Sequence, residues 1–145
     1  ANIVAYSMMD VLTEAGLDTQ EEKKQIILSF LQDTIPTAKP TLNQAHRVRS
    51  VMETAFFIKE GAISISPDGI LDVDFDKIIP AARKMLEKIV TLQMTKDIKK
   101  AEEYINEYFI WLPEMQTRAD NIEKISKTLA GRLETPLADK LLAEK

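Results

Sequence analysis

Cysteine is absent from the sequence, and histidine occurs once, as His46. Without cysteine the chain forms no disulfide and no thiolate metal site. One histidine is also too few for a typical protein zinc site, which takes three or four ligands drawn from His, Cys and carboxylate. We therefore expect the 145 residues to bind no metal by themselves.

Glycine is scarce too, and its four residues are isolated from one another. A Gly-rich phosphate loop and a G-x-S-x-G nucleophile elbow are both missing, which argues against the commonest nucleotide-binding and serine-hydrolase motifs. The net charge of −4 argues against nucleic acid as a partner, since phosphate binding needs a basic surplus. No apolar run approaches the roughly 18 residues of a membrane span. We expect a cytoplasmic protein without a membrane or nucleic-acid partner.

The fold class follows from apolar spacing. A chain of 145 residues that is 45% hydrophobic and 29% charged suits one domain. Apolar residues recur at helical spacing in about six segments, the first containing Val4, Met8, Val11, Leu12 and Ala15. Alternating apolar and polar residues near 62–75 predict one small β-hairpin. The sequence thus predicts a mainly α domain over 1–145, with a loose tail at 137–145.

Particular residues set the expected boundaries. Thr19 and Glu22 form the pattern of a capping box that opens the second helix. We expect the third helix to run from Thr41 to Glu60, and Asp76 to cap the fourth. Pro113 suits the first position of the last helix, because its missing N–H would have no helical partner there.

His46 is the one side chain whose ordinary titration range lies near neutrality. Arg47 and Arg49 flank it and disfavour further positive charge on the ring, so a neutral imidazole can donate a hydrogen bond to a developing oxyanion. The competing interpretation is a partly buried histidine bonded to a carbonyl, with both arginines in solvent. The local sequence alone favours this second interpretation, because a lone histidine lacks catalytic partners.

Other polar and aromatic groups carry less functional signal. The carboxylate sets fit solvated faces and helix starts better than an acid/base pair or a divalent cation site. The aromatic residues near the fifth helix fit a core better than a stacking platform, because they lie at helical spacing. The carboxylates are Glu21, Glu22, Glu102, Glu103, Asp72, Asp74 and Asp76. The aromatic residues are Tyr104, Tyr108, Phe109 and Trp111.

Four stretches in order resemble the C-terminal part of the dipeptidyl-peptidase III family of zinc peptidases. The first is similar to that family's segment with a Gln/Glu-Ala-His core, and the second to its helix end of the type Leu-Leu-Glu-x-Gly. The third is the hairpin with the residues after it, and the fourth is similar to a stretch of the type Leu-Gln-x-Thr-Gly-Asp. In chain order, the four stretches are Asn43-Gln44-Ala45-His46-Arg47-Val48-Arg49, Phe57-Ile58-Lys59-Glu60-Gly61-Ala62, Val73-Asp74-Phe75-Asp76-Lys77-Ile78 and Leu92-Gln93-Met94-Thr95-Lys96-Asp97.

The resemblance implies that the zinc ligands of the intact enzyme lie upstream of this chain. The family holds zinc with a His-Glu-x-x-Gly-His motif and with a glutamate of a Glu-Glu-x-x-Ala-Glu/Asp motif, and Ala1-Asn2 looks like the last two positions of the second. His46 corresponds to a histidine that helps hold the substrate carbonyl and the oxyanion. The family's peptide-binding arginine falls at Ser50 here, so the resemblance points only to the nearby Arg49 and Arg47. Some bacterial relatives are labelled nudix-type hydrolases, although nothing in this chain resembles a nudix box.

The sequence leaves two alternative functions open. The first is the C-terminal helical portion of a zinc-dependent exopeptidase that releases dipeptides from peptide N-termini. Its partners would be the peptide substrate and the upstream catalytic lobe of the same chain, and the fragment alone would be inactive and prone to homodimerise. The alternative is a non-catalytic helical module that docks another protein through an apolar groove. The first function requires the surface around His46 to face an open cleft next to the chain's N-terminus. The alternative expects the His46 side chain to be packed or simply exposed, with an apolar patch elsewhere.

Overall fold

Six helices and one hairpin make up the computed structural model, which describes residues 2–130. This confirms the predicted mainly α fold with one antiparallel hairpin; the predicted tail at 137–145 lies outside the described residues. The elements in chain order are α1 (Asn2–Glu14), α2 (Gln20–Thr34), α3 (Ala45–Lys59), β1 (Ile63–Ile65), β2 (Leu71–Val73), α4 (Phe75–Thr95), α5 (Ile98–Tyr108) and α6 (Pro113–Ala130). None of the described helices is both long and apolar enough to cross a bilayer.

Two of the helix starts test the predicted caps. At α2 the capping box is confirmed, because the Thr19 N–H donates to Glu22 Oε2 at 2.8 Å and the Glu22 N–H donates to Thr19 Oγ1 at 3.2 Å. At α4 the predicted cap is wrong. Asp74 caps the helix by accepting from the Asp76 N–H at 3.2 Å, so Asp76 lies within the first turn. Aspartate is a favourable N-cap residue at either position, and β2 ends at Val73, directly before Asp74.

Helix α3 begins four residues later than the predicted Thr41. The Gln44 N–H donates to the Thr41 carbonyl at 3.0 Å, and the Gln44 side chain accepts from the Thr41 N–H at 3.1 Å. These two bonds close a separate turn before the helix. As a result, His46 is the second residue of α3.

The core lies where α1, α2, α3 and α4 meet, with the hairpin and α5 closing its ends. Ring edges pack at its centre, with the Tyr6 ring 5.4 Å from Phe30 and 5.7 Å from Phe57, both edge to face. The largest fully buried apolar or aromatic side chains are Tyr6, Tyr108, Phe56, Phe57, Ile27, Leu31, Ile78, Met85 and Met115.

Most of the apolar stripe that predicts α1 stays exposed, although its member Leu12 packs partly buried against the core. Tyr6 and Met9 point into the core, whereas Val4, Met8 and Val11 remain about half exposed. Helix spacing alone does not distinguish the two faces, since both carry large apolar side chains. Within the described residues, α1 therefore presents an uncovered apolar stripe.

Gly69, in the hairpin turn, is expected to resist substitution for two separable reasons. Its φ of 77° is left-handed, and a Cβ there would lie 2.7 Å from the backbone nitrogen of Arg118 in α6. Gly69→Ala should lower the free energy of unfolding by about 1–2 kcal/mol from the left-handed backbone alone, with the clash adding to it. Gly16→Ala is the matched control, because Gly16 has a φ of 69° with nothing within 4 Å. Urea unfolding that finds the two variants equally destabilised would contradict the contact with α6.

Candidate functional site

His46 lies in the first turn of α3 with its side chain exposed. The residue one turn further along, Ser50, is nearly buried and donates from its hydroxyl to the His46 carbonyl at 3.1 Å. The imidazole therefore stands at the open end of a helix whose middle is enclosed. An external group can reach this ring without any movement of the described residues.

Arg47 and Arg49 are both exposed on the same turn, but they point to different sides of the helix. Successive helix residues are about 100° apart, so residues two apart do not face each other. Arg47 lines a cleft of about 290 Å³ with Ser50, the end of α2 and the loop that follows it. Arg49 faces Glu53, with 3.9 Å between Arg49 Nε and Glu53 Oε2. The fold thus places Arg49, and not Arg47, on the same side of the helix as His46, three residues before it, and Glu53, four residues after it.

Glu53 is the site residue that the sequence analysis missed. Its side chain is 0% exposed, and neither carboxylate oxygen has a hydrogen-bond partner among residues 2–130. Burial raises the pKa of Glu53, and the positive charge of Arg49 acts in the opposite direction. Its neighbours Met52 and Ala55 are apolar residues at helical spacing, so a charged residue beside them was the available signal.

The same buried carboxyl group affects the pKa of two tyrosine hydroxyls on other helices. Burial raises the pKa of the Tyr6 phenol, and the negative charge of Glu53 raises it further. Burial also raises the pKa of Tyr104, where Tyr108 and Glu107 contribute more than Glu53 does. The Glu53 carboxyl group, in the middle of α3, therefore affects the pKa of a tyrosine on α1 and of another on α5.

Glu53 is expected to make the stability of this chain fall as the pH rises. Its pKa is raised in the folded state, so the unfolded chain releases the proton first, from about pH 4.3 upward. Between that pH and the raised folded-state pKa, the free energy of unfolding should decline. Glu53→Gln should remove the decline, so the free energy of unfolding of the variant should increase relative to that of the wild type as the pH rises. Urea unfolding from pH 4 to 8 measures this.

A surface glutamate supplies the control for that titration. Glu102 is exposed on α5, so Glu102→Gln makes the same chemical change without removing a buried carboxylate. Parallel profiles for the wild type and Glu53→Gln would show that the buried carboxylate does not titrate in the folded chain as described.

Most of the remaining carboxylates and aromatics have local structural roles within residues 2–130, although Glu103 and Tyr104 line a cleft of about 430 Å³ between α4 and α5. Among the described residues, no three His, Cys, Asp or Glu side chains come together in a way that would hold a metal ion. Asp74 instead pairs with Lys77 at 2.8 Å. The Tyr108 ring is buried, with its centroid 5.1 Å from that of Phe56, and Trp111 donates to Gln116 at 2.9 Å. These arrangements fit capping, surface pairing and core packing.

Comparison with known proteins supplies the remaining evidence. No protein-family model matches the sequence, and no curated protein matches it. Among solved structures, the chain is similar to dipeptidyl-peptidase III from Corallococcus sp. strain EGB, with a TM-score of 0.73 and 20% identity over 84% of this chain. It is also similar to the same enzyme from Caldithrix abyssi, with a TM-score of 0.69 and 25% identity over 81% of this chain. The chain folds like a segment of dipeptidyl-peptidase III.

The extent of this match limits what it shows. The chain corresponds to 23% of the length of each of the two similar structures. The likeness therefore supports a dipeptidyl-peptidase III-like fragment at the level of fold and peptidase relationship. It agrees with the family that the four sequence stretches resemble.

Proposed function

We propose that the chain is the C-terminal helical portion of a zinc-dependent exopeptidase that releases dipeptides from the N-termini of peptides. The observation that carries this proposal is the likeness of more than four fifths of the chain to two dipeptidyl-peptidase III structures. His46 also lies in the motif that resembles the family's histidine segment, which supports the proposal. We take the intact protein to be bacterial and cytoplasmic.

In this proposal His46 is the catalytic residue that the chain contributes. A neutral imidazole at the open end of α3 would donate a hydrogen bond to the carbonyl oxygen of the scissile peptide bond. The same bond would strengthen as negative charge develops on that oxygen, which lowers the barrier. Arg49 would bind acceptor oxygens of the peptide from the next turn. Arg47, which lines the cleft beside Ser50, would contact the peptide from the other side of the helix.

The residues described here do not fit a zinc site, because none of their His, Cys, Asp and Glu side chains cluster in threes. Following the family resemblance, we assign the zinc of the proposed peptidase to residues of the intact protein upstream of this chain. The contribution of the chain is to bind the peptide and to donate a hydrogen bond. The isolated chain is accordingly expected to be inactive.

The exposed apolar stripe of α1 is where we propose that the upstream lobe docks. Val4, Met8 and Val11 lie on one side of the helix and are each about half exposed. The matched part of this chain is 23% of each similar structure, so a large neighbouring lobe would be present in the intact protein. Without that lobe, the same stripe is the surface through which the isolated fragment would homodimerise.

The direct test is product analysis with the intact protein. An unblocked peptide should lose successive dipeptides from its N-terminus, detected by mass spectrometry. The same peptide with an acetylated N-terminus should not be cut, since an enzyme that counts residues from the N-terminus recognises the free amine. Release of single amino acids, or internal cleavage of both peptides, would rule out the proposed activity.

The alternative function is a helical interaction module. The observation that favours it is the apolar surface left exposed on α1 and on α6, where Ile125 and Leu129 are each at least half exposed. The two proposals differ in what the intact protein does to peptides. A module would bind a partner protein and leave every test peptide uncut.

A further inference from the structure

We propose that Glu53 is a positioning residue that holds the Arg49 guanidinium in place to bind the acceptor oxygens of a peptide substrate. The proposal rests on the proposed peptidase function, and it adds a residue that neither the sequence motifs nor the structural likeness assigns. Glu53 would touch no substrate. It would act through the orientation of Arg49.

The geometry places the three side chains in sequence along one side of α3. His46, Arg49 and Glu53 are three and then four residues apart, so they are neighbours on the helix surface. His46 is exposed, the Arg49 side chain is 44% exposed and the Glu53 side chain is 0% exposed. The row therefore runs from solvent to core, with Arg49 bridging the two.

The contact between Arg49 and Glu53 leaves the binding end of the arginine available. Arg49 approaches Glu53 Oε2 through Nε, at 3.9 Å. A guanidinium carries five N–H donors in a rigid fork, and four of them belong to the two terminal nitrogens. Holding Nε against a fixed carboxylate would restrict the side chain and present the terminal nitrogens outward, toward a peptide lying beside His46.

The burial of Glu53 is unfavourable for the fold, which argues that it serves another purpose. A buried carboxylate without hydrogen bonds loses its hydration, and one ion pair at 3.9 Å recovers only part of that loss. An apolar residue of similar size would suit the same position better. Among residues 2–130, Arg49 is the one cation within 4 Å of the carboxylate. The arginine is therefore the group on which Glu53 can act.

The test uses the intact protein and two readouts, the Kd for an uncleavable peptide with a free N-terminus and the kcat for its cleavable counterpart. Arg49→Ala should weaken peptide binding by about tenfold, the usual effect of losing one charge-assisted hydrogen bond. Glu53→Gln should weaken binding about fivefold with kcat changed by less than about twofold. The double variant should bind no more weakly than Arg49→Ala, because both changes remove the same interaction.

Thr54→Val is the matched control for a purely structural effect. Thr54 is a fully buried polar neighbour on the same helix, and its hydroxyl donates to the Ser50 carbonyl at 2.8 Å. This variant should unfold more readily and bind peptide normally. Glu53→Gln should show the reverse, with undiminished stability at neutral pH and weaker binding.

The outcomes separate the two proposals. An intact protein that cuts and binds peptide, but whose Kd is unaffected by Glu53→Gln, would overturn the positioning role and leave the peptidase function standing. The positioning role would also be overturned if the double variant weakened peptide binding by the product of the two single-variant losses. A wild-type protein that releases no dipeptides refutes the peptidase function; if it also binds no peptide, the positioning role is refuted with it.

Discussion

Replacing His46 with alanine in the intact protein is expected to lower the kcat for dipeptide release by about 10²–10³-fold, the usual effect of removing one oxyanion donor. The imidazole lies exposed in the first turn of α3, so its removal leaves no cavity in the core. No metal-binding cluster exists among the described residues, so the zinc content of the protein should not change. Steady-state kinetics and metal analysis on the same preparation measure both quantities.

Two further variants sharpen this result. His46→Gln keeps an N–H donor near the same position and should recover part of the lost kcat. Leu42→Ala removes a side chain that is 71% exposed just before α3, and it should leave kcat unchanged. An unaltered kcat in His46→Ala would remove the histidine from the reaction, and a parallel loss of zinc would indicate a structural role instead.

Replacing Phe57 with alanine is expected to destabilise the chain by about 3–5 kcal/mol, the usual range for removing a buried aromatic ring. Phe57 is 0% exposed and joins α3 to α1 through its edge-to-face contact with Tyr6. Since a domain of this size is stable by only about 5–15 kcal/mol, this loss is a large fraction of the total. Urea unfolding of the 145-residue chain measures the change.

The exposed residue Leu42 again provides the comparison. Leu42→Ala also removes a large apolar side chain, but in solvent, and it should change the free energy of unfolding by no more than about 0.5 kcal/mol. Similar losses in the two variants would mean that Phe57 is not at the centre of the packing between α1 and α3.

Local signals in the sequence predicted the elements well, because they depend on a few adjacent residues. The capping box of Thr19 and Glu22 is one example, and the hairpin near residues 62–75 is another. The start of α3 was wrong by four residues, because the side chain of Gln44 closes a turn that composition does not distinguish from helix. Such side-chain to backbone bonds compete directly with helix formation.

Tertiary information was harder to predict from periodicity. The α1 pattern of Val4, Met8 and Val11 indicates a helix correctly, but the helix buries Tyr6 and Met9 instead. Which of two apolar faces turns inward depends on neighbours distant in sequence, and a lobe outside the chain would need the other face. For the site, the position of His46 could be predicted from its motif. For Glu53 the sequence carries only a weak signal, a charged residue beside apolar ones, because its burial is decided by distant parts of the fold.

The most direct test of the central claim is a crystal structure of the intact protein with an uncleavable peptide bound. A ring nitrogen of His46 should lie about 2.7–3.1 Å from the carbonyl oxygen between the second and third peptide residues, the distance at which an oxyanion donor acts. The α1 stripe should be covered by the rest of the same protein. A peptide bound away from α3, or a His46 ring covered by another part of the chain, would contradict the account.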